Sequence, residues 1–221
     1  MPKRPIKTAS LQYEHQFLAE KGASHIVGFD EVGRGAWAGP VVVGAVCLPI
    51  DQADLTEKLA GVRDSKQLTP RQRTHLVETI KVTAIAWGIG SATNGEIDQM
   101  GIMSATRLAM RRAYEHLIVQ QPEFTPEAFF LDAITWIDAP VNCEQLHLTK
   151  GDQRSLSIAA ASILAKTYRD HWMRELEQNY PGYDFALHKG YGTAKHRAAL
   201  TLKGLTPVHR VSFKPMGGTL L

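Results

Sequence analysis

The chain has 221 residues, 44% hydrophobic and 21% charged, the balance of a globular protein of one domain, or one domain with a small appendage. Its longest apolar run, residues 41–50, is far short of the ~20 residues a membrane helix needs. Two cysteines, Cys47 and Cys143, without a CxxC partner, exclude a disulfide framework and a structural zinc site. Lys3, Arg4 and Lys7 are followed by no apolar core, so no secretory signal is expected, and the reducing cytoplasm is the expected compartment. The net charge of +3 is spread unevenly. Residues 1–149 carry 14 Lys and Arg against 17 Asp and Glu, whereas residues 150–221 carry 11 against 5. Such a basic C-terminal third suits a polyanionic partner.

Residues 1–24 read as a polar tail with a turn or two of helix at 11–20. A strand is expected at 25–32, then a glycine-rich loop at 33–39 and a second strand, rich in β-branched residues, at 41–48. Thr69 and Pro70 suit the N-cap and first turn of a helix that runs to about Lys81. A third strand spans 83–92. Asn94 and Gly101 punctuate a short helix from a longer one at 102–119. Strands at 127–132 and 145–149 precede a long helix at 157–179, whose start is lined by Ala159, Ala160, Ala161 and Ser162, small enough to lie close on a sheet. One further helix is expected near 193–203. This order predicts an α/β fold, a mixed five-stranded sheet covered by helices on both faces, with a small helical C-terminal extension.

Three groups of residues carry chemistry. Asp30, Glu31, Asp132 and Asp152 stand at or just after strand ends, where ligand sites of such sheets lie. Carboxylates converging there repel one another unless cations sit between them. Mg²⁺ or Mn²⁺ suits such oxygen ligands, and two ions about 4 Å apart can activate a water and stabilise a leaving oxygen. Adjacent strand residues point to opposite faces. Glu31 therefore either lies past the last paired residue or contributes partly through its backbone carbonyl. The loop Gly33-Arg34-Gly35 leads into a strand, unlike a dinucleotide-binding turn, which opens a helix. Its glycines permit close backbone approach to a ligand, and Arg34 adds a phosphate-seeking fork. In Lys189-Gly190-Tyr191-Gly192, the ring is suited to stacking and the lysine to phosphate. Asp170 reads as an ion-paired structural acid beside Lys166, Arg169 and Arg174. His188, His196 and His209 read as loop or surface residues, with His188 near phosphate, and both cysteines read as packed thiols.

Taken together, these motifs resemble ribonuclease HII, the type 2 ribonuclease H. The resemblance rests on residues 30–35 and 38–42, Asp64-Ser65-Lys66 with Leu68, Lys150-Gly151-Asp152, Ala160 to Lys166 with Arg169-Asp170, 180–183, 188–193, and the closing Pro207-Val208-His209-Arg210 with Ser212-Phe213. It departs from the family at Asp132-Ala133, where Asp-Gly is usual, and at 157–162, where the Ile-Ser-Ala-Ala-Ser run is altered. The resemblance implies a ribonuclease H-like catalytic domain over 25–180 and a substrate-contacting extension over 181–221. It implies hydrolysis of RNA in RNA–DNA hybrids, and cleavage 5′ to ribonucleotides embedded in duplex DNA, leaving 3′-hydroxyl and 5′-phosphate ends. The implied metal ligands are Asp30, Glu31, Asp132 and Asp152, holding two Mn²⁺ or Mg²⁺ ions. Substrate contacts fall on Gly33, Arg34, Gly35, Lys66, Lys150, Lys189 and Tyr191. The expected partners are RNA–DNA hybrids and ribonucleotide-containing duplexes, bound by a monomer. A non-catalytic hybrid-binding module would need no strand-end carboxylates, and another two-metal nuclease would have no obvious use for the glycine-arginine-glycine loop.

Overall fold

The computed structural model describes residues 9–132 and 134–216. In chain order its elements are α1 (Gln12–Lys21), β1 (Ile26–Val32), β2 (Val41–Cys47), α2 (Leu55–Lys58), α3 (Pro70–Thr83), β3 (Ala86–Ala92), α4 (Asn94–Gln120), β4 (Ala128–Leu131), β5 (Glu144–His147), α5 (Leu156–Asn179), α6 (Phe185–His188) and α7 (Ala194–Lys203). The strands form one mixed sheet in the order β3-β2-β1-β4-β5. β1, β2 and β3 pair antiparallel, and β4 and β5 continue parallel to β1. The sheet is the five-stranded one the sequence predicts. β1 and β4 run side by side in the same direction, so Asp30 and Asp132 emerge at the same end.

Local chemistry sets the element ends. The Thr69 side chain accepts from the Gln72 amide while Gln72 accepts from the Thr69 amide, a reciprocal cap reinforced by Pro70. Thr93 and Glu96 cap α4 in the same way. Gly101 breaks that helix, with φ 78° and ψ 157°, where the sequence places the division.

β2 is buried along its whole length, as a strand covered on both faces must be. One face packs on α3 and α5 through Ile26, Val46, Phe130, Ile80 and Ile158. The other packs on α4 through Phe29, Val43, Ala109 and Ala113. The small residues of α5 act as expected. A Cβ at Gly44 would stand 2.3 Å from the Ala161 carbonyl oxygen, so any side chain on β2 there would push the helix off the sheet. At the N-terminus, α1 is a ten-residue helix, longer than the predicted turn or two. Buried Glu14 ties it to α5, accepting from the Ser155 hydroxyl at 2.6 Å and the Ser157 amide at 3.0 Å.

The C-terminal segment builds a third small core from Ala38, Met173, Leu176, Tyr183, Phe185 and Leu200. It corrects the placement of the three histidines as loop or surface groups. His188, His196 and His209 are buried, and the rings of His188 and His196 stack at 4.5 Å. Their partners assign one tautomer each. The Thr206 amide donates to His209 Nδ1, leaving Nε2–H to donate to His196 Nε2 at 3.0 Å. His196 Nδ1–H then donates to the Tyr191 carbonyl at 3.1 Å. The Gly190 amide donates to His188 Nδ1, whose Nε2–H donates to the Tyr183 carbonyl. Such a network needs neutral rings. Burial holds all three below the usual histidine range, His196 at about 4. Both cysteines are free, and burial pushes Cys47 up to about 12 and Cys143 up to about 11, so neither is a ready nucleophile.

Candidate active site

Three carboxylates from three separated stretches of chain meet beyond the parallel end of the sheet. Asp30 lies near the end of β1, Asp132 follows β4, and Asp152 sits on a single helical turn, Gly151–Gln153, that precedes α5. Each offers an oxygen, and these oxygens all lie within 4.8 Å of one another. Asp132 is oriented by the Gly151 amide, which donates to Oδ1 at 3.0 Å. Asp30 and Asp152 are buried. Asp152 Oδ2 has no hydrogen-bond partner, and the Lys66 ammonium is 3.6 Å away. Ala133, where the sequence departs from the family pattern, lies outside the described residues.

Electrostatics shows what the cluster lacks. Burial pushes Asp30 well above the usual carboxylate range, and the charges of Glu31, Asp132 and Asp152 push it further. Burial raises Asp152 to about 6, with the charge of Asp64 adding to it and Lys66 opposing. The site thus concentrates acceptor oxygens that disfavour their own ionisation. A donor set of hard carboxylate oxygens, one of them buried without a hydrogen bond, fits a divalent cation such as Mg²⁺ or Mn²⁺.

Glu31 resolves differently from the first expectation. It remains in register with Val43, and Val32 beyond it pairs with Val42, so Glu31 is not past the last paired residue. Its side chain accepts from Arg34 Nη1 at 3.1 Å, and it stands outside the trio of oxygens. Burial, opposed by Arg34, brings it to about 7.

Beside the carboxylates lies a cleft of about 350 Å³, lined by Asp30, Glu31, Val32, Ser65, Lys66, Ser162, Lys166 and Tyr191. It joins the predicted Asp30, Glu31, Lys66 and Tyr191. Ser162 and Lys166 carry no site signal in the sequence beyond their i, i+4 spacing on α5, which puts them on one helix face. Lys150 is exposed, in the left-handed conformation at φ 56°, two residues before Asp152. Lys189 turns back, its ammonium donating to the Ala186 carbonyl at 2.5 Å. Asp170 is ion-paired as expected, to Lys166 at 2.6 Å, with its second partner Arg73 of α3 at 3.0 Å.

The glycine loop is held from below by two buried arginines that the sequence alone does not mark as site residues. Arg210 donates twice to the Gly39 carbonyl and once to the Arg34 carbonyl. Arg169 is not the partner of Asp170. It donates instead to the carbonyls of Pro40, Ala38 and Lys189. Gly33 has φ 95°, and a Cβ there would fall 2.2 Å from Arg169 Nε, so only glycine fits. Gly35 is exposed with open space around it, as a backbone that meets a ligand requires.

A family model described as Ribonuclease HII matches residues 27–216. The chain is 47% identical over 207 residues to a Ribonuclease HII of Listeria monocytogenes serotype 4a (strain HCC23), covering 93% of this chain and 73% of that protein. It is 49% identical over 207 residues to a Ribonuclease HII of Synechococcus sp. (strain JA-3-3Ab), covering 94% of this chain and 89% of that one. Among solved structures, Bst-RNase HIII in complex with Mn²⁺ shares the fold, with a TM-score of 0.70 and 23% identity over 90% of this chain and 70% of that one.

Proposed function

The chain belongs to the ribonuclease HII family and is an endoribonuclease, and on that premise we propose that Asp30, Glu31, Asp132 and Asp152 form its metal-dependent catalytic centre, acting on RNA–DNA hybrids and on ribonucleotides embedded in duplex DNA. The observation that carries this reading is the trio of carboxylate oxygens within 4.8 Å of one another, together with the buried Oδ2 of Asp152, which accepts no hydrogen bond and has only the Lys66 ammonium at 3.6 Å.

Asp30, Asp132 and Asp152 hold the cations, which are Mn²⁺ or Mg²⁺, a choice supported by the hard oxygen donors and by the Mn²⁺ bound in the RNase HIII relative. When bound, two such ions supply an activated water and a clamp on the leaving 3′-oxygen. Glu31 completes the acidic wall from the opposite face of β1, restrained by Arg34. The exposed backbone at Gly35, with Gly33 and Arg34 beside it, meets the ribose 2′-hydroxyl, the group that separates RNA from DNA. Tyr191 stacks on the neighbouring sugar across the cleft. Lys66, Lys150 and, once freed from Ala186, Lys189 meet phosphates. Cleavage falls 5′ to the ribonucleotide, leaving 3′-hydroxyl and 5′-phosphate ends, the opening step in removing ribonucleotides from DNA. The enzyme works as a monomer in the cytoplasm, and no helix among the described residues is long and apolar enough to cross a membrane.

One assay tests the reading: a DNA duplex holding a single ribonucleotide, incubated with and without Mg²⁺. Metal-dependent cutting at that one step supports it. Binding without cutting, or cutting of an all-DNA duplex at equal rate, overturns it.

A further inference from the structure

Arg169 lies on α5 with no surface exposed, between two segments that the proposed function makes the readers of the ribonucleotide. One is the glycine loop. Arg169 Nε donates to the Pro40 carbonyl at 2.8 Å and Nη2 to the Ala38 carbonyl at 3.2 Å. The other is the turn that carries Tyr191. Nη1 donates to the Lys189 carbonyl at 2.8 Å, and the guanidinium lies 5.7 Å from the centroid of the Tyr191 ring.

A buried cation without an anion is costly. Among the described residues no carboxylate stands within ion-pair distance of Arg169, and the adjacent Asp170 is taken by Arg73 and Lys166. An apolar side chain would fill the space without that cost, so bulk alone does not account for the guanidinium. Its planar fork meets carbonyls from two segments at fixed angles. These segments also meet directly: the Trp37 amide donates to the Gly190 carbonyl at 2.8 Å, and Gly190 and Gly192 lie against the Ala38 carbonyl and the Trp37 ring. The fork adds charged attachments on both sides of this contact, and Gly33 seats directly on Arg169 with no room for a side chain.

We propose that Arg169 is a positioning residue that locks the glycine loop and the Tyr191 turn into one rigid reader, so that 2′-hydroxyl contact and ring stacking are made in a single register. The inference rests on the reading that these two segments contact the ribonucleotide. A single embedded ribonucleotide offers one 2′-hydroxyl, so both contacts must fall into place together. A continuous hybrid offers a 2′-hydroxyl at every step and tolerates misregister.

The test compares Arg169→Lys, which keeps the charge and loses the fork, on the two substrates, alone and combined with Tyr191→Ala. Cleavage at a single ribonucleotide should fall about tenfold or more, chiefly in kcat with KM little changed, because misplacement costs rate more than phosphate binding. The continuous hybrid should lose less than about threefold. In the Tyr191→Ala background the selective part of the loss should vanish, as coupled residues require. Equal losses on both substrates, additive with Tyr191→Ala, overturn the proposal. If Tyr191→Ala alone shows no preference between the substrates, the underlying reading fails instead, and the inference falls with it. Should Arg169→Lys not fold, hydrogen exchange of the wild-type protein decides. Locked segments open together, giving the Trp37 and Tyr191 amides equal protection, whereas clearly unequal protection contradicts the lock.

Discussion

Arg210 and Arg34 meet through the backbone: the buried guanidinium of Arg210 donates to the Arg34 carbonyl at 2.9 Å. The side chain of Arg34 is thereby left free to hold Glu31, while its main chain is pinned from beneath. Arg210 also donates twice to Gly39, at 3.0 and 2.8 Å, so one side chain sets both ends of the loop.

Arg210→Met should therefore leave the Arg34 and Gly39 carbonyls short of donors in a buried site. Hydrogen bonds to a charged group are each worth ~1.5–3 kcal/mol, and we expect a net loss of about 2–4 kcal/mol. That corresponds to a Tm lower by roughly 5–15 °C in a protein of this size. A calorimetric scan that shows no shift would rule out the clamp.

The pH dependence of stability should reveal the acidic cluster. In the metal-free protein Glu31 and Asp152 are raised to about 7 and about 6, chiefly by burial, so between about 4.5 and 7 the folded state binds protons that the unfolded state does not. Stability from these groups is present at low pH and is lost as pH rises through 6 and 7. The histidines act oppositely. His196, held at about 4 by burial, takes up its proton in the unfolded state first, so its contribution is lost as pH falls from 6.5 towards 4. Metal-free Tm should rise from pH 8 to a maximum near 6, then fall. Saturating Mg²⁺ should stabilise most at pH 8 and progressively less towards 6, as protons displace it. A metal-free Tm that declines steadily from pH 8 to 6 would contradict the burial of uncompensated carboxylates.

How much of this was legible in the sequence follows from the range of the forces involved. The capping residues Thr69 and Pro70, the break at Gly101 and the apolar run of β2 act over a few residues, and their elements appear where expected. Small side chains at Ala159–Ala161 forecast the close packing of α5. The trio Asp30, Asp132 and Asp152 was readable because each stands near the end of a recognisable strand or soon after one. The direction of Glu31 was not, since it depends on β2 continuing to pair beyond it. Arg169 and Arg210 matched family motifs but looked like ordinary charged residues, because their partners are carbonyls remote in sequence. The histidines misled for the same reason: polarity suggests a surface, and only the fold supplies a donor or acceptor for each ring nitrogen. Glu14, buried against Ser155 and Ser157, likewise gave α1 no apolar signature.

Binding should weaken with salt, because the substrate is a polyanion. Lys150 is exposed and free to reach phosphate, so Lys150→Ala should reduce the slope of log affinity against log salt by about one. Lys189 must first leave the Ala186 carbonyl, and Lys189→Ala should reduce the slope less. Titrations at several salt concentrations check the order, and an affinity flat across them would make the basic C-terminal third incidental.

Tyr191 should act through its ring face. Stacking on an aromatic is worth ~1–3 kcal/mol by alanine substitution, roughly a tenfold to hundredfold effect. Tyr191→Phe should be mild and Tyr191→Ala severe in cleavage of a single embedded ribonucleotide, with little change in Tm because the ring is 37% exposed. A Phe variant as damaged as the Ala variant would assign the role to the hydroxyl.

The most direct test of the central claim is the cleavage rate of a duplex with one ribonucleotide by wild type and by Asp30→Asn at saturating Mg²⁺, with binding to the same duplex measured in parallel. The account predicts that Asp30→Asn binds as wild type does and cleaves at least about a hundredfold more slowly, roughly 2.7 kcal/mol of lost transition-state stabilisation. Wild-type turnover by Asp30→Asn would contradict it.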